Sequence, residues 1–382
     1  MISQFLMSTK VVAGVGAATE AAKEVKLLGG KKVLIVTDPG LSKAGLPSVV
    51  AENLKAAGIE SAVFDTVESD PSITTASKAA EAARGFAAEV LIAVGGGSAI
   101  DAAKSAGVLV TSGGYLRDFG GVGKVAKPTL PLIAIPTTAG TGSEITVFAV
   151  MTDTDKNEKF TISSPLIAPR VAILDPEFTV KLPPSITAFT GMDALTHAVE
   201  AYVSVNAQPA TDALALHAIK LIMANLPIAV HRGDNLRARE NMLQAAFLAG
   251  VAFNCAFLGL AHALASPLGA HFHVPHGLAN AVMLPYVMEF NRPAAVDRFA
   301  AIAITLGLGT VGEHPNRLAE KTIGAVSQLV RDINIPVHLR EVGAKQDLLA
   351  LVASDALKSI QLKFNPRFAS EGDILGLLTN AF

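Results

Sequence analysis

A chain of 382 residues with a single cysteine, Cys255, cannot close an internal disulfide or build a Cys-rich zinc site. A reducing, cytoplasmic setting is therefore expected. Tryptophan is absent, and charged residues are only 17% of the chain against a usual value of about 25%. The 31 Lys and Arg against 33 Asp and Glu leave a formal net charge of −2. No basic surplus exists to attract nucleic acid or an anionic membrane surface, and neither is expected as a partner. What the chain does have is a 51% hydrophobic share, which excludes a disordered or fibrous protein. The length suits two domains of ordinary size. With sulfur scarce, the nine histidines are the place to look for a metal.

The mean hydropathy of +0.44 raises the question of a membrane span. Residues 245–270 contain no Lys, Arg, Asp or Glu and are long enough to cross a bilayer. They also contain Asn254, His262, Ser266, Pro267 and three glycines, with no Trp or Tyr at either end. A buried helix of a helix-rich domain is the expected form. The N-terminal MISQFLMSTK has too short an apolar core for a signal peptide.

Short apolar runs at 33–37, 61–64, 90–94 and 130–135 read as strands, separated by helix-like segments at 46–57, 77–86 and 99–110. That alternation predicts a parallel sheet with helices on its faces. From Ile186 onward long Ala/Leu-rich segments predict an all-α domain, with breaks at Pro227, Pro267, Pro285 and Pro293. The boundary is expected in Leu182-Pro183-Pro184-Ser185, giving an α/β domain over 1–184 and a helical domain over 185–382, with Ser185 able to cap the first helix.

The strand-like 90–94 runs into Gly95, Gly96, Gly97 and Ser98 and then a helix. Unpaired backbone N–H groups with no Cβ in the way are how α/β sheets hold phosphate, although a tight turn is the plain alternative. A second loop, from Pro136 to Glu144, offers the hydroxyls of Thr137, Thr138, Thr141 and Ser143. No lysine follows in P-loop spacing, which argues against NTP hydrolysis. Asp38 ends the first strand, where an acid can accept hydrogen bonds from an adenosine ribose; Asp38-Pro39-Gly40 is also a good turn. Here the acid precedes the glycines, the reverse of a standard Rossmann chain, so a variant of that fold is expected. Gly14-Val15-Gly16 lacks the third glycine and reads as a decoy.

Asp193 and His197 are four apart in a helix-like segment, so both can reach one ion or simply bond each other. His262 and His276 form a second cluster, separated by Ser266, Pro267 and Gly269, which give the chain room to turn. One oxygen and three nitrogens with no sulfur suit Fe²⁺, Zn²⁺ or Mn²⁺. His271 and His273 read as supporting, catalytic or exposed loop residues. Glu200 shares the face of Asp193 and His197 and either orients a ligand or makes a surface salt bridge.

Taken together, Asp38, Gly95-Gly96-Gly97-Ser98 with Asp101, the 137–144 loop, Gly191-Met-Asp-Ala-Leu-Thr-His-Ala-Val-Glu200 and Pro275-His276-Gly277 resemble the iron-containing (group III) alcohol dehydrogenases. The resemblance implies an N-terminal dinucleotide domain, NAD rather than NADP because of Asp38, and metal ligation by Asp193, His197, His262 and His276, with Fe²⁺ or Zn²⁺ as the ion. It places Asp70, Thr137, Thr138, Lys159, Thr179, Leu182 and Pro183 where family members contact the cofactor, and implies a homodimer or higher homo-oligomer. Many members carry a further histidine where this chain has Ser266, which leaves His271 or His276, water or the cofactor ribose to move the proton. The expected reaction is reversible hydride transfer between a small alcohol and NAD, giving an aldehyde or ketone. The alternatives are a dehydroquinate-synthase-like lyase, a maleylacetate-reductase-like member of the same superfamily, or a non-catalytic NAD- or metal-binding protein. Maleylacetate reductases usually lack the acid that Asp193 supplies.

Overall fold

The computed structural model describes residues 4–156 and 158–382. The chain folds as two compact units, residues 7–181 and residues 182–382, with residues 4–6 belonging to the second. The Gln208 side chain donates to the Gln4 carbonyl within that second unit.

The first unit contains β1 (Lys10–Ala13), α1 (Ala21–Leu27), β2 (Lys32–Val36), α2 (Pro39–Ala44), α3 (Leu46–Ala56), β3 (Glu60–Phe64), α4 (Ile73–Phe86), β4 (Val90–Gly95), α5 (Gly97–Ser112), β5 (Gly121–Val122), β6 (Leu132–Pro136), β7 (Phe148–Asp153), β8 (Glu158–Ser163) and β9 (Val171–Leu174). Six strands form one parallel sheet in the order β1-β9-β6-β4-β2-β3; β5, β8 and β7 form a small separate sheet. The period of two is visible in the core. Val33, Ile35, Val90, Ile92, Ile133 and Ile135 pack on one face with α1 and α3 residues such as Val25 and Val50. Leu34, Val36, Leu91, Ala93, Leu132 and Ala134 pack on the other with Ile100 and Ala103 of α5.

The strand order explains why the acid comes before the glycines. From β2 the chain moves outward to β3 and then returns to the other side of β2 for β4, so the direction of winding reverses between β2 and β4. Ligands of such sheets bind beyond the carboxyl ends of strands at that switch point. Asp38 follows β2 and Gly96 follows β4, so both flank it. The apparent fingerprint at Gly14 and Gly16 is a turn: Gly16 has φ 78°, and the Gly16 and Ala18 amides donate to the Asp175 carboxylate at 3.2 and 2.9 Å. The expected helix at 77–86 starts earlier, at Ile73, because Ser72 caps it by accepting from the Thr75 amide at 3.1 Å.

The second unit contains α6 (Pro184–Val203), α7 (Pro209–His231), α8 (Leu236–Ala256), α9 (Leu260–Phe272), α10 (His276–Asn291), α11 (Val296–Thr305), α12 (Pro315–Asp332), α13 (Leu349–Ala356) and α14 (Glu371–Ala381). Three of the expected breaks are not breaks: Pro227, Pro267 and Pro285 lie inside α7, α9 and α10. Burial of Leu226, Leu268 and Leu284 beside them carries each helix through the missing N–H. Pro293 does fall in the turn between α10 and α11. Ser185 is not the cap of α6, since Pro183 holds that position and Pro184, with its preset φ, begins the helix.

The uncharged stretch 245–270 also differs from its expected form. It is two helices, α8 and α9, bent by 103° across 257–259. Phe257 takes φ 64° and ψ −179° there, a conformation costly for a side chain with a Cβ. The bend is held by stacking of Phe257 on Phe364 at 4.4 Å and by Ser204 Oγ and Asn206 Nδ2 donating to the last carbonyls of α8, at Ala256 and Cys255. His262 consequently sits in the first turn of α9 rather than at the end of a long helix. Among the described residues α7 is the one straight helix long and apolar enough to cross a membrane, by length and composition only.

Candidate metal centre and cofactor loops

Three helices bring the polar cluster together. From Gly191 to Val203 every residue of α6 is buried, which takes Asp193, His197 and Glu200 out of water with their apolar neighbours. Two glycines permit the close approach this needs. A Cβ at Gly191 would lie 2.3 Å from Leu226 Cδ1, and one at Gly277 would lie 2.5 Å from the Phe189 carbonyl oxygen. With Gly277 in place, α10 starts against the backbone of α6 and His276 reaches Asp193.

Asp193 Oδ1 lies 3.7 Å from Nε2 of both His262 and His276, and 4.0 Å from Nε2 of His197. The donor atoms of Asp193, His262 and His276 all fall within 4.8 Å of one another, a set that can hold a metal ion. The His197 ring stacks between Phe253, at 4.3 Å, and His262, at 4.6 Å between centroids. Burial lowers its pKa to about 4, so it stays neutral, the form in which imidazole ligates a cation. Burial opposes the charge of Asp193, but His197, His276, His262 and the Asn280 amide together outweigh it and hold the carboxyl below its usual range. His276 is the exposed member, its side chain 43% accessible, while His262 and Asp193 are buried.

Glu200 settles between its two readings in favour of orientation. Its carboxylate is buried and receives His262 Nδ1 at 2.6 Å, the Gly259 amide at 3.0 Å and the Ala261 amide at 2.6 Å. Gly259 precedes α9 and Ala261 lies in its first turn, and Asn365 Oδ1 takes the Leu260 amide between them at 3.2 Å, so side chains from elsewhere in the unit satisfy the free N–H groups of this helix start. One carboxylate thus caps the helix and fixes His262 with its Nε2 lone pair toward Asp193. Asn280 was not anticipated at all. It lies four residues after His276 on α10, a spacing that could have flagged it, and its Nδ2 is 2.8 Å from Asp193 Oδ1, 3.1 Å from His262 Nε2 and 3.2 Å from His276 Nε2. His271 is not brought to this cluster: it stands nine residues beyond His262, about 13 Å along α9, and pairs with Asp355 at 2.7 Å. His273 ends α9 with φ 57°, and Ser266 faces solvent.

In the α/β unit the two loops fit against each other. A Cβ at Gly96 would lie 3.3 Å from Thr138 Oγ1, and one at Gly97 3.0 Å from Thr141 Cγ2. A Cβ at Gly95 would collide with Ala99 at 2.5 Å, while the Thr137 amide donates to the Gly95 carbonyl. The glycines therefore admit the threonine loop as well as leaving the N-terminus of α5, with Ser98 in its first turn, free of any side-chain cap. Behind them Lys104 is fully buried. Its Nζ donates to Ser143 Oγ at 3.2 Å, the Thr146 carbonyl at 3.0 Å and the Phe148 carbonyl at 2.6 Å. Burial brings this lysine down to about 8 and lifts Glu144 beside it to about 7. Asp101 accepts from Ser143 Oγ and the Val150 amide, so its carboxylate is committed to bracing the loop. Asp38 caps α2, its Oδ1 accepting from Gly40 and Leu41 at 2.8 and 3.0 Å. Asp70 and Lys159 bind each other at 2.6 Å, and Thr179 Oγ1 bonds the Pro176 carbonyl. Pro183 caps α6, and the Leu182 carbonyl accepts from Arg239 at 3.4 Å.

A doubly wound sheet with its switch point at Asp38 and Gly96 is the arrangement of nucleotide-binding α/β proteins, and the helical unit adds an Asp/His cluster able to hold a metal. Residues 8–176 match the family described as iron-containing alcohol dehydrogenase, and residues 187–382 match the C-terminal part of the Fe-containing alcohol dehydrogenase family. The chain belongs to the iron-containing alcohol dehydrogenases. It is 40% identical over 380 residues to the NAD-dependent methanol dehydrogenase of Bacillus methanolicus, covering 100% of both chains. It is 44% identical over 371 residues to the 1,3-propanediol dehydrogenase of Klebsiella pneumoniae, covering 97% of this chain and 96% of that one. Among solved structures, a 1,3-propanediol oxidoreductase superposes with a TM-score of 0.98 at 42% identity, covering 100% of both chains. The sulfoacetaldehyde reductase of Bifidobacterium kashiwanohense, in complex with NAD⁺, does so with 0.91 at 31%, covering 100% and 99%.

Proposed function

We propose that this NAD-dependent alcohol dehydrogenase acts on small primary alcohols, with Asp193, His197, His262 and His276 holding Fe²⁺ and Asp38 selecting NAD over NADP. The observation that carries the metal assignment is one carboxylate oxygen, Asp193 Oδ1, facing three ring nitrogens at 3.7 to 4.0 Å while Glu200 fixes the orientation of one of them. A neutral His197, a charged Asp193 and a dry wall of Phe253 form a donor set that fits a divalent cation of borderline softness. A cation bound there supplies Lewis acidity, polarising the alcohol oxygen and lowering its pKa.

The rest of the work belongs to side chains and backbone. Glu200 keeps His262 from turning, and the exposed His276 leaves the cluster open on one side. Gly96, Gly97 and Ser98 at the start of α5, with Thr137, Thr138 and Thr141, present donors for a pyrophosphate, and positioning of the nicotinamide supplies much of the acceleration. The Asp38 carboxylate, held by the Gly40 and Leu41 amides through Oδ1, repels a ribose 2′-phosphate. Relatives that act on methanol and 1,3-propanediol support short primary alcohols as the first substrates to try.

The test is a panel of short alcohols and diols with NAD and NADP, following net NADH formation after chelation and reconstitution with Fe²⁺ or Zn²⁺. Steady NADH production with NAD is expected, restored best by Fe²⁺, and His262→Ala should lose both bound metal and at least about a hundredfold in rate. Net NADH absent across the panel would instead indicate chemistry in which bound NAD is used only transiently.

A further inference from the structure

We propose that Asn365 is a positioning residue for the metal ligand His262: it holds the first turn of α9 where Glu200 can grip the ring. The inference rests on the metal assignment above and concerns a residue which that assignment does not use. The successive amides that lead into α9 divide between two side chains. Glu200 accepts from Gly259 at 3.0 Å and from Ala261 at 2.6 Å, and Asn365 Oδ1 accepts from Leu260 between them at 3.2 Å. A Cβ on Gly259 would lie 2.9 Å from Asn365 Oδ1 and 3.2 Å from Glu200 Oε1, so both groups close on the one residue that has no side chain. Glu200 Oε2 also receives His262 Nδ1 at 2.6 Å. Whatever sets the path of residues 259–261 therefore sets the grip on that ring.

Asn365 is locked in one orientation by what lies behind it. Pro366 confines it to extended backbone, with φ −67° and ψ 138°, which ends the 3₁₀ turn Ile360–Phe364. Its Nδ2 donates to Asn291 Oδ1 at 2.8 Å and to the Arg367 carbonyl at 2.6 Å, while Asn291 Nδ2 donates back to Asn365 Oδ1 at 2.9 Å. Both amide hydrogens and both oxygen lone pairs are thereby used. Turning the amide over would set N–H against the Leu260 amide and oxygen against the Arg367 carbonyl. Asn291 is the last residue of α10, and Arg367 fastens the same helix end, donating to the Phe290 carbonyl at 2.7 Å with its guanidinium over the Phe290 ring at 4.0 Å. Asn365-Pro366-Arg367 thus ties the end of the helix that begins with His276 to the beginning of the helix that carries His262. Asn365, Asn291 and Leu260 are all buried, so bulk water does not make good a lost bond.

Removing the Asn365 oxygen leaves the Leu260 amide without its acceptor, and the turn can recover one only by leaving the path on which Glu200 meets Gly259, Ala261 and His262. The test is Co²⁺ titration of the chelator-treated full chain, read in the visible ligand-field bands that report the geometry of the donor set, together with thermal unfolding. Asn365→Leu is close in volume and has no acceptor; Asn365→Ser, too short to reach Leu260, serves where leucine prevents folding. The control is Thr322→Val, which removes a buried bond to the Phe299 carbonyl elsewhere in the same unit. The variants at 365 are expected to bind Co²⁺ roughly three- to tenfold more weakly, the range of one net hydrogen bond, and with altered bands. Thr322→Val is expected to melt lower while binding like wild type. Variants at 365 that melt lower but keep wild-type affinity and bands, or an equal loss of affinity in Thr322→Val, would leave Asn365 a packing residue and overturn the proposal. Wild type without Co²⁺ bands would sink the metal assignment, and this inference with it, before any variant is made.

Discussion

The two units meet the same problem, keeping polar groups in order away from water, by opposite means. The α/β unit uses backbone and neighbours in sequence: Gly95, Gly96 and Gly97 remove side chains so that Thr138 and Thr141 can close in, and one buried lysine braces the result. The helical unit uses side chains scattered over nearly ninety positions, at 193, 197, 200, 262, 276 and 280, each pinned by another. A loop built on backbone tolerates exchange of many side chains. A cluster whose buried donors and acceptors depend on one another tolerates few, because deleting one leaves a buried partner unpaired.

That contrast is broken or confirmed most strongly at Glu200. Glutamine keeps the shape of the side chain but not the charge, and cannot accept equally from His262 Nδ1, Gly259 and Ala261. Glu200→Gln should lose about 10–100-fold in metal affinity or activity, the usual cost of removing a group that orients a ligating histidine. Metal content by elemental analysis and reconstitution kinetics would measure it, and a variant that binds metal like wild type would show that helix capping is the whole role of this carboxylate.

A smaller effect is expected at Lys104, a single buried side chain on which the threonine loop of the α/β unit leans. Lys104→Met preserves length and removes the bonds to Ser143, Thr146 and Phe148, so the threonine loop loses its brace. The expected result is a KM for NAD raised about tenfold, equivalent to some 1.4 kcal/mol of cofactor binding, with the KM for alcohol unchanged. A proportional rise in both would mean that the lysine only stabilises the fold.

The contrast also explains what the sequence could convey. Local patterns placed β2, β3, β4 and β6 within one or two residues; β2, β4 and β6 are buried and read as apolar runs, whereas the edge strand β3 is partly exposed and showed only as the short run Ser61–Phe64. The edge strand β1, the buried β9 and the small sheet of β5, β8 and β7 were not read from the sequence: exposed residues such as Val122 and Val150 give no such run, and β9, though buried, is only four residues long. Asp193, His197, His262 and His276 stood out by type and spacing, and three of them converge. What spacing could not show was pairing across the fold. Glu200 was ambiguous until α9 was seen to begin at its carboxylate, and that depends on the 103° bend at Phe257, which no local signal encodes. Asp101 and Asp70 have partners of their own within the α/β unit, Ser143 and Lys159, which residue type and spacing do not reveal.

The smallest effect is predicted for His271, a histidine of the helical unit that stands outside its interlocked cluster. Its Nε2 bonds Asp355 at 2.7 Å, and Asp355 also binds Lys358 at 2.7 Å, so the ring already has a partner at the nitrogen a relay would use. Both Lys358 and His271 hold the Asp355 carboxyl below its ordinary range, Lys358 more strongly. The pair is partly exposed, with side chains 24% and 30% accessible, and such ion pairs are worth about 0–1 kcal/mol. His271→Ala should therefore shift stability by less than about 1 kcal/mol and leave the pH dependence of kcat/KM superimposable on wild type. A displaced limb of that profile would put His271 in the proton path despite its place on α9, and would show that the reacting groups extend beyond the residues that share Asp193.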